Sequence, residues 1–317
     1  MLSVGVQTWS TDITALRRYW AAAEQLGYDR LTYGDGLWAW THDGWTMLGA
    51  LAVETRRVRI GPAVTYAFDA SSHHPSWLAQ RAATVDRLAD GRLDLRLGVG
   101  AEDDETRAAW QRHGIPYPPP AERVARLDET IEIVRALWRG GPVSHRGRFF
   151  QLHGAPGGAP PLQRPGPPVW IAAMGDAALA VTARRADGWE ASYLDPSDFA
   201  TRWGRLRAML VAAGREPEQM RRSVEVDVVL SRSAGESAAA LDRFCATRRI
   251  DARDPLVATA LTGDALAVRT AALAYEAAGA TDLLLGFADF PATGMLETFA
   301  ATVAPALRMD PVEVSGR

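Results

Sequence analysis

The chain has 317 residues, 47% hydrophobic and 23% charged, a balance that suits a large α/β domain whose core needs neither disulfides nor metal. A formal net charge of −3 gives no electrostatic footprint for nucleic acid or an anionic membrane, and no apolar run approaches the ~18 residues that span a bilayer. All 35 basic residues are arginine, which excludes Schiff-base chemistry on a lysine, pyridoxal phosphate enzymes included.

The first residues, Met1-Leu2-Ser3-Val4, run directly into a strand-like segment without an export signal, and the lone Cys245 reads as an inert thiol. Both fit a cytoplasmic setting. Short Val/Ile/Leu-rich runs bounded by Gly, Pro or Asp predict strands at Val4–Thr8, Arg30–Gly34, Val58–Val64, Leu93–Gly98, Val169–Ala173, Gly188–Tyr193, Val224–Leu230 and Asp282–Phe287. Helical periodicity fills the gaps at Ile13–Leu26, Trp77–Leu88, Val124–Trp138, Ala177–Arg185, Phe199–Ala213, Leu266–Ala278 and Met295–Val303. Strand and helix alternate from end to end, which predicts one closed parallel (β/α)8 barrel, a TIM barrel, over residues 1–317. An open doubly wound sheet is the alternative, but Gln7-Thr8-Trp9-Ser10 stands where its Gly-rich phosphate loop belongs. Three stretches interrupt the rhythm, the first the Pro-rich Pro116–Pro120. Residues 140–168, rich in Pro and Gly, read as an insertion after the fourth strand with a hairpin edge at Gly147–Leu152. Residues 231–263 read as a mostly helical excursion after the seventh, and disorder is expected only in the last few residues.

The segments Ile60-Gly61-Pro62-Ala63-Val64, His74-Pro75-Ser76-Trp77-Leu78-Ala79, Asp90-Gly91-Arg92-Leu93 and Leu97-Gly98-Val99-Gly100 occur in that order. Glu129–Trp138, Gly147-Arg148-Phe149-Phe150, Arg185–Trp189 and Ala278–Asp282 follow. This ordered set, from about residue 4 to residue 305, resembles the bacterial luciferase-like superfamily. The resemblance implies a barrel with an insertion after strand 4, a cofactor at its C-terminal mouth and, in many members, a homodimer. It also implies one of two chemistries: hydride transfer with coenzyme F420, or oxygenation with FMNH2 and O2.

The resemblance further implies a non-prolyl cis peptide between Ala63 and Val64, making a bulge that, with Thr65, backs the cofactor ring. Gly98 and Gly100 allow a ligand close to the backbone. At Ala173-Met174-Gly175-Asp176-Ala177 a strand ends and a helix begins, and the free N–H groups of such a start suit a cofactor phosphate. A plain N-cap by Asp176 is the alternative, and arginines the sequence does not identify would complete the site. Glu102, His74 and Asp35 are the candidate catalytic groups. Glu102 falls within about a residue of a position that carries a proton-donating carboxylate in some F420 enzymes, whereas Asp104 and Glu105 read as an acidic helix start. His74 either lines the pocket or opens a helix, and Asp35 is either a site carboxylate or a structural acceptor. The chain departs from the family at Gly36, where relatives commonly carry a histidine. The six histidines show no ligand spacing, so no metal is expected. Trp9, Trp38, Trp40, Tyr66 and Phe68, with Trp45 and Trp77, follow the first three strands and read as an apolar wall for a bulky or peptide-like small-molecule substrate. The reading is an F420H2-dependent reductase of an activated C=C, C=N or C=O bond. The alternatives are an FMNH2-dependent monooxygenase and a non-catalytic flavin-binding barrel.

Overall fold

A computed structural model describes residues 1–69 and 73–308, so the expected tail lies outside the described residues. Eight parallel strands form the barrel: β1 (Ser3–Thr8), β2 (Arg30–Tyr33), β3 (Arg59–Pro62, resuming at Thr65–Tyr66), β4 (Leu95–Gly98), β5 (Val169–Ala172), β6 (Gly188–Ser192), β7 (Arg221–Leu230) and β8 (Asp282–Phe287). Neighbours pair in sequence, and β8 closes onto β1 with Ser3 opposite Asp282. The ring is completed between β3 and β4 by the Ile60–Leu93 bridge and the Thr65–Leu97 pairing.

Closure dictates the side-chain pattern, because alternate residues of each strand must point either to the helices or into the barrel. Val4 and Val6, Val224, Val226 and Val228, and Leu283 and Leu285 are fully buried, in the layer between strands and helices. The inward positions include charged groups. Arg30 donates to Asp94 at 2.8 Å and Asp282 at 3.0 Å, while Arg59 and Arg221 close on the same two carboxylates from outside. Burial opposes ionisation of Asp94 and Asp282, yet Arg30 and its neighbours hold both below the ordinary aspartate range. Because these residues sit at strand starts, the cluster ties the N-terminal end of the barrel.

Several elements differ from expectation. The helix Gly44–Glu54 follows β2 and was not anticipated, because Trp, Met, Leu, Ala and Val surround it and blur its period. Strand β3 breaks at Ala63–Val64, and β7 starts at Arg221, earlier than its apolar run. The insertion contains an antiparallel hairpin, Pro142–Arg146 with Gln151–Pro156. Its tip is fixed by Glu129, which accepts the N–H groups of Phe149 at 3.1 Å and Phe150 at 2.8 Å. The excursion holds the helix Ser237–Arg248 and a short strand, Leu261–Gly263, that pairs with β7.

Candidate active site

At the C-terminal ends of the strands the barrel is walled by small residues. Gly34, Ala63, Gly98, Ala172, Ser192 and Gly286 alternate into that level, and no bulky side chain crosses it from them. Two larger residues, Gln7 and Glu225, share the level and are only half-buried. Beneath them lies the buried ion pair of Arg96 and Glu190, with Arg96 over the Trp170 ring at 4.7 Å. This small-walled end of the barrel above a buried ion pair, the cup, is the general position of small-molecule sites in this fold.

One wall is the break in β3. The Ala63–Val64 peptide is cis, and both residues are half-buried on the cup. Gly98 faces Val64, and a Cβ there would lie 2.7 Å from the Val64 Cγ2, so glycine is needed. Thr65 lies behind the wall. Fully buried, it donates through Oγ1 to Asp35 and accepts from Trp45 Nε1 at 3.1 Å. Asp35 is buried too, with His73 Nε2 at 3.9 Å, and burial raises its pKa. Asp35 and Thr65 therefore brace the bulge from the helix side. Asp35 is thus placed as a buried acceptor, and the Thr65 side chain points to Asp35 and Trp45, behind the bulge.

The loop after β4 is pinned. Gly100 adopts φ +79° beside the Tyr117 ring. The buried Arg123 donates to the carbonyls of Val99 at 2.6 Å, Pro118 at 2.8 Å and Ala101 at 3.3 Å. Beyond this anchor Glu102 is exposed on the rim, so the structure gives it no enclosed position from which to serve as an acid. The next residue, Asp103, caps the helix Asp104–Arg112 by accepting the Thr106 N–H at 2.6 Å. His74 is likewise a cap: its Nδ1 accepts the Ser76 N–H at 3.2 Å at the start of Pro75–Leu88, and its ring meets Phe150 of the hairpin edge-on at 5.3 Å. Burial lowers its pKa. His74 thus opens a helix outside the cup, which corrects its assignment as a pocket acid.

The start of helix Asp176–Arg185 carries the clearest binding feature. Gly175, not Asp176, is the N-cap, and no side chain caps the turn, so its first N–H groups keep free donors. Met174 is half-buried beside the cup, while Gly175, Asp176 and Ala177 are exposed. Two arginines from helix Pro196–Ala212 stand alongside. Arg202 donates to the Met174 carbonyl, and Arg205 lies 3.3 Å from Asp176. Arg205 neutralises the one acidic group that would repel a phosphate. Both arginines thus stand beside the exposed start of this helix.

The aromatics divide. Trp9, Trp38 and Trp40 form one bank, with Trp38 stacked on Trp40 at 5.8 Å and Trp40 edge-on to Trp9 at 6.3 Å. The Trp38 indole folds over Gly36, its Nε1 2.6 Å from where a Cβ would sit, and takes the place of a side chain at that position. On the other side Tyr66 stacks on Phe68 at 5.7 Å, and Phe68, Trp110 and Tyr117 are buried behind it. Phe68 supports Tyr66 rather than forming wall surface. Trp45 is core, and Trp77 is 60% exposed on the outside of the barrel.

Two carboxylates on β7 have no counterpart among the candidate residues of the sequence. Glu225 accepts from Ser192 at 2.8 Å and Tyr193 at 3.1 Å. Asp227, one inward step further along β7, is 1% exposed and pairs with Arg248 of the excursion at 3.1 Å. Alternation of Ser223, Glu225 and Asp227 with valines was the available signal. Among the described residues no group of three or more His, Cys, Asp or Glu is placed to hold a metal. No helix among them is long and apolar enough to cross a membrane.

Comparison with known proteins agrees with this architecture. The family model of the luciferase-like monooxygenases matches residues 2–304, and the chain belongs to that family. Among curated relatives, a phthiodiolone/phenolphthiodiolone dimycocerosates ketoreductase of Mycobacterium kansasii is 34% identical over 205 residues, 63% of this chain and 53% of the relative. An F420-dependent glucose-6-phosphate dehydrogenase of Beutenbergia cavernae is 34% identical over 184 residues, 55% of this chain and 51% of the relative. The alignments span about half the length of these relatives. Among solved structures, the coenzyme F420-dependent tetrahydromethanopterin reductase of Methanopyrus kandleri superposes with a TM-score of 0.80 at 19% identity, covering 97% of this chain and 99% of that one. A long-chain alkane monooxygenase gives 0.77 at 15% identity, covering 97% and 91%. At these identities the superpositions establish the fold.

Proposed function

We propose that this chain is an F420H2-dependent reductase acting on an activated double bond, a carbonyl foremost, of a bulky apolar or peptide-like substrate. The observation that carries the proposal is the join between the small-walled cup and the uncapped helix start at Gly175. The two features lie on adjacent strand ends and suit the two parts of one ligand, a flat ring and a phosphate. Ala63, Val64, Gly98 and Gly100 would hold the ring, and the backbone from Met174 to Ala177, with Arg202 and Arg205, would hold the phosphate. Ala173 is buried and contributes through backbone only. Bound there, the reduced deazaflavin supplies a hydride. The protein's own part is to position substrate against the Trp9, Trp38 and Trp40 bank, exclude water, and provide a proton for the reduced product.

Kinship with relatives named as a ketoreductase and an F420-dependent dehydrogenase supports this chemistry. The luciferase-like family also supports FMNH2-dependent oxygenation as the second reading. The two separate in one assay. Purified protein is mixed anaerobically with F420H2 and a panel of aryl ketones, aldehydes and enones, and F420 formation is followed by absorbance. Substrate-dependent F420 formation with no oxygen requirement is the expected result. Turnover that requires FMNH2 and consumes oxygen would replace the proposal with the second reading, and binding without turnover would favour the non-catalytic barrel.

We also propose a homodimer. The helices Gly44–Glu54 and Pro75–Leu88 flank a groove of about 570 Å³ on the outer surface, lined by Trp77, Thr84 and Leu88 among others. Trp77 and Leu88 are 60% and 46% exposed there. Trp45 of the first helix reaches Thr65 at the bulge, and His73 before the second lies beside Asp35, so a second copy on this face would also stiffen the site.

A further inference from the structure

We propose that Asp227 is the catalytic acid of this site, giving the proton to the oxygen of a carbonyl substrate, and that Arg248 is the residue that positions it. The inference deepens the reductase reading and rests on it.

The geometry is specific. Asp227 lies on the inner face of β7, opposite Gly286 of β8. A Cβ at Gly286 would come 2.5 Å from the Asp227 Oδ1 and 3.2 Å from the Trp9 ring, so only glycine leaves the carboxyl its place. Asp227 and the Trp9 bank therefore meet at one point of the mouth. Arg248 spans both: its guanidinium lies 4.6 Å over the Trp9 ring and binds Oδ1 at 3.1 Å. The other oxygen, Oδ2, is buried and has no hydrogen-bond partner among the described residues. A fully buried carboxyl oxygen without a partner is costly, and a polar group of a substrate is one partner that would relieve it.

The remaining candidates are less well placed. Glu102 is exposed, His74 caps a helix, Asp35 is engaged behind the bulge, and Gly36 has no side chain. Glu225 has both oxygens occupied, by Ser192 and Tyr193. The charged and titratable groups facing Asp227 are Glu225 from its own strand, Tyr193 from the end of β6 and Arg248 from the excursion. Burial pushes the Asp227 pKa up to about 7, with Glu225 adding to the rise and Arg248 opposing it. The group can thus hold a proton near neutral pH and release it. In the proposed step the carbonyl carbon accepts hydride from the reduced cofactor, and the C=O π pair moves to oxygen. That oxygen takes the Asp227 proton, leaving an alcohol and a carboxylate that water reprotonates.

The test begins without substrate. F420 affinity is measured for the native chain and for Asp227→Asn, and carboxyl protonation is followed by infrared difference spectroscopy across neutral pH. The native chain should show a carboxylic-acid band titrating near pH 7. The variant should lose that band while keeping native F420 affinity. A native chain without such a band, or a variant that retains it, overturns the proposal. Turnover is then compared on the aryl carbonyl panel at saturating F420H2. Asp227→Asn should lower kcat by about a hundredfold, Asp227→Glu should restore part of it, and Arg248→Met should move the alkaline limb of the pH profile upward. Native F420 binding and turnover with unchanged kcat in Asp227→Asn overturns the proposal alone. A native chain that binds no F420, or that binds it and reduces none of the panel, overturns the reductase reading and the proposal together.

Discussion

Gly175→Val places two methyl groups over the start of Asp176–Arg185, where a cofactor phosphate would approach the free N–H groups. The fold should tolerate it. Gly175 has φ −89°, an ordinary value for any residue, and a Cβ there would meet no atom within 4 Å. The loss of glycine at an N-cap costs the fold on the order of 1 kcal/mol. Binding should suffer more. A hydrogen bond to a charged group contributes about 1.5–3 kcal/mol, so displacing one N–H from a phosphate weakens binding at least about tenfold, and displacing two weakens it about a hundredfold or more. Fluorescence-quenching titration with F420 reads the loss, and circular dichroism confirms the fold. An affinity within about twofold of native would remove the Gly175 turn, and with it Arg202 and Arg205, from the cofactor site.

Four further outcomes follow from the same geometry. Thr65→Val should lower the unfolding free energy by about 2–4 kcal/mol in urea, because the buried Asp35 carboxyl and the Trp45 N–H lose a partner, and Thr65→Ser should recover most of it. A change below about 0.5 kcal/mol would show that this network does not brace the bulge. Arg30→Met should cost about 3 kcal/mol or more, since it strips a cation from two buried carboxylates, while leaving cofactor affinity intact at the opposite end of the barrel. The folded pKa values of Asp94 and Asp282 are depressed, so their stabilisation is present above the unfolded aspartate value of about 3.9 and is lost as pH falls through the folded values. The gap between native and Arg30→Met should therefore narrow in acid, and a constant gap would argue against ion pairing as its source. Trp77→Glu should convert the proposed homodimer to monomer in sedimentation equilibrium. An unchanged assembly would place the subunit contact elsewhere.

Much of the barrel was legible because its strands are short Val/Ile/Leu runs punctuated by Gly, Pro and Asp. The helix Gly44–Glu54 was not legible, because an apolar surface on nearly every side carries no period, although Asp43 capping Thr46 was a readable start. The site was only partly legible. Glycines at 98 and 100 and the turn at 174–177 are visible because open backbone leaves a glycine-rich composition. Which way Asp35, Thr65 or His74 faces is set by β2, β3 and the adjoining helices packing together, and nothing local encodes it. Glu225 and Asp227 were readable in principle. In a closed barrel whose helices cover the outside, a carboxylate alternating with buried valines has only the interior to occupy. Arg202, Arg205 and Arg248 were beyond reach, since each acts across a contact between elements distant in the chain.

Deazaflavin use is tested by a side-by-side titration of the purified protein with F420 and with FMN, read by fluorescence quenching. Micromolar binding of F420 and much weaker binding of FMN is the expected result. Preference for FMN would contradict the claim of deazaflavin-dependent hydride transfer.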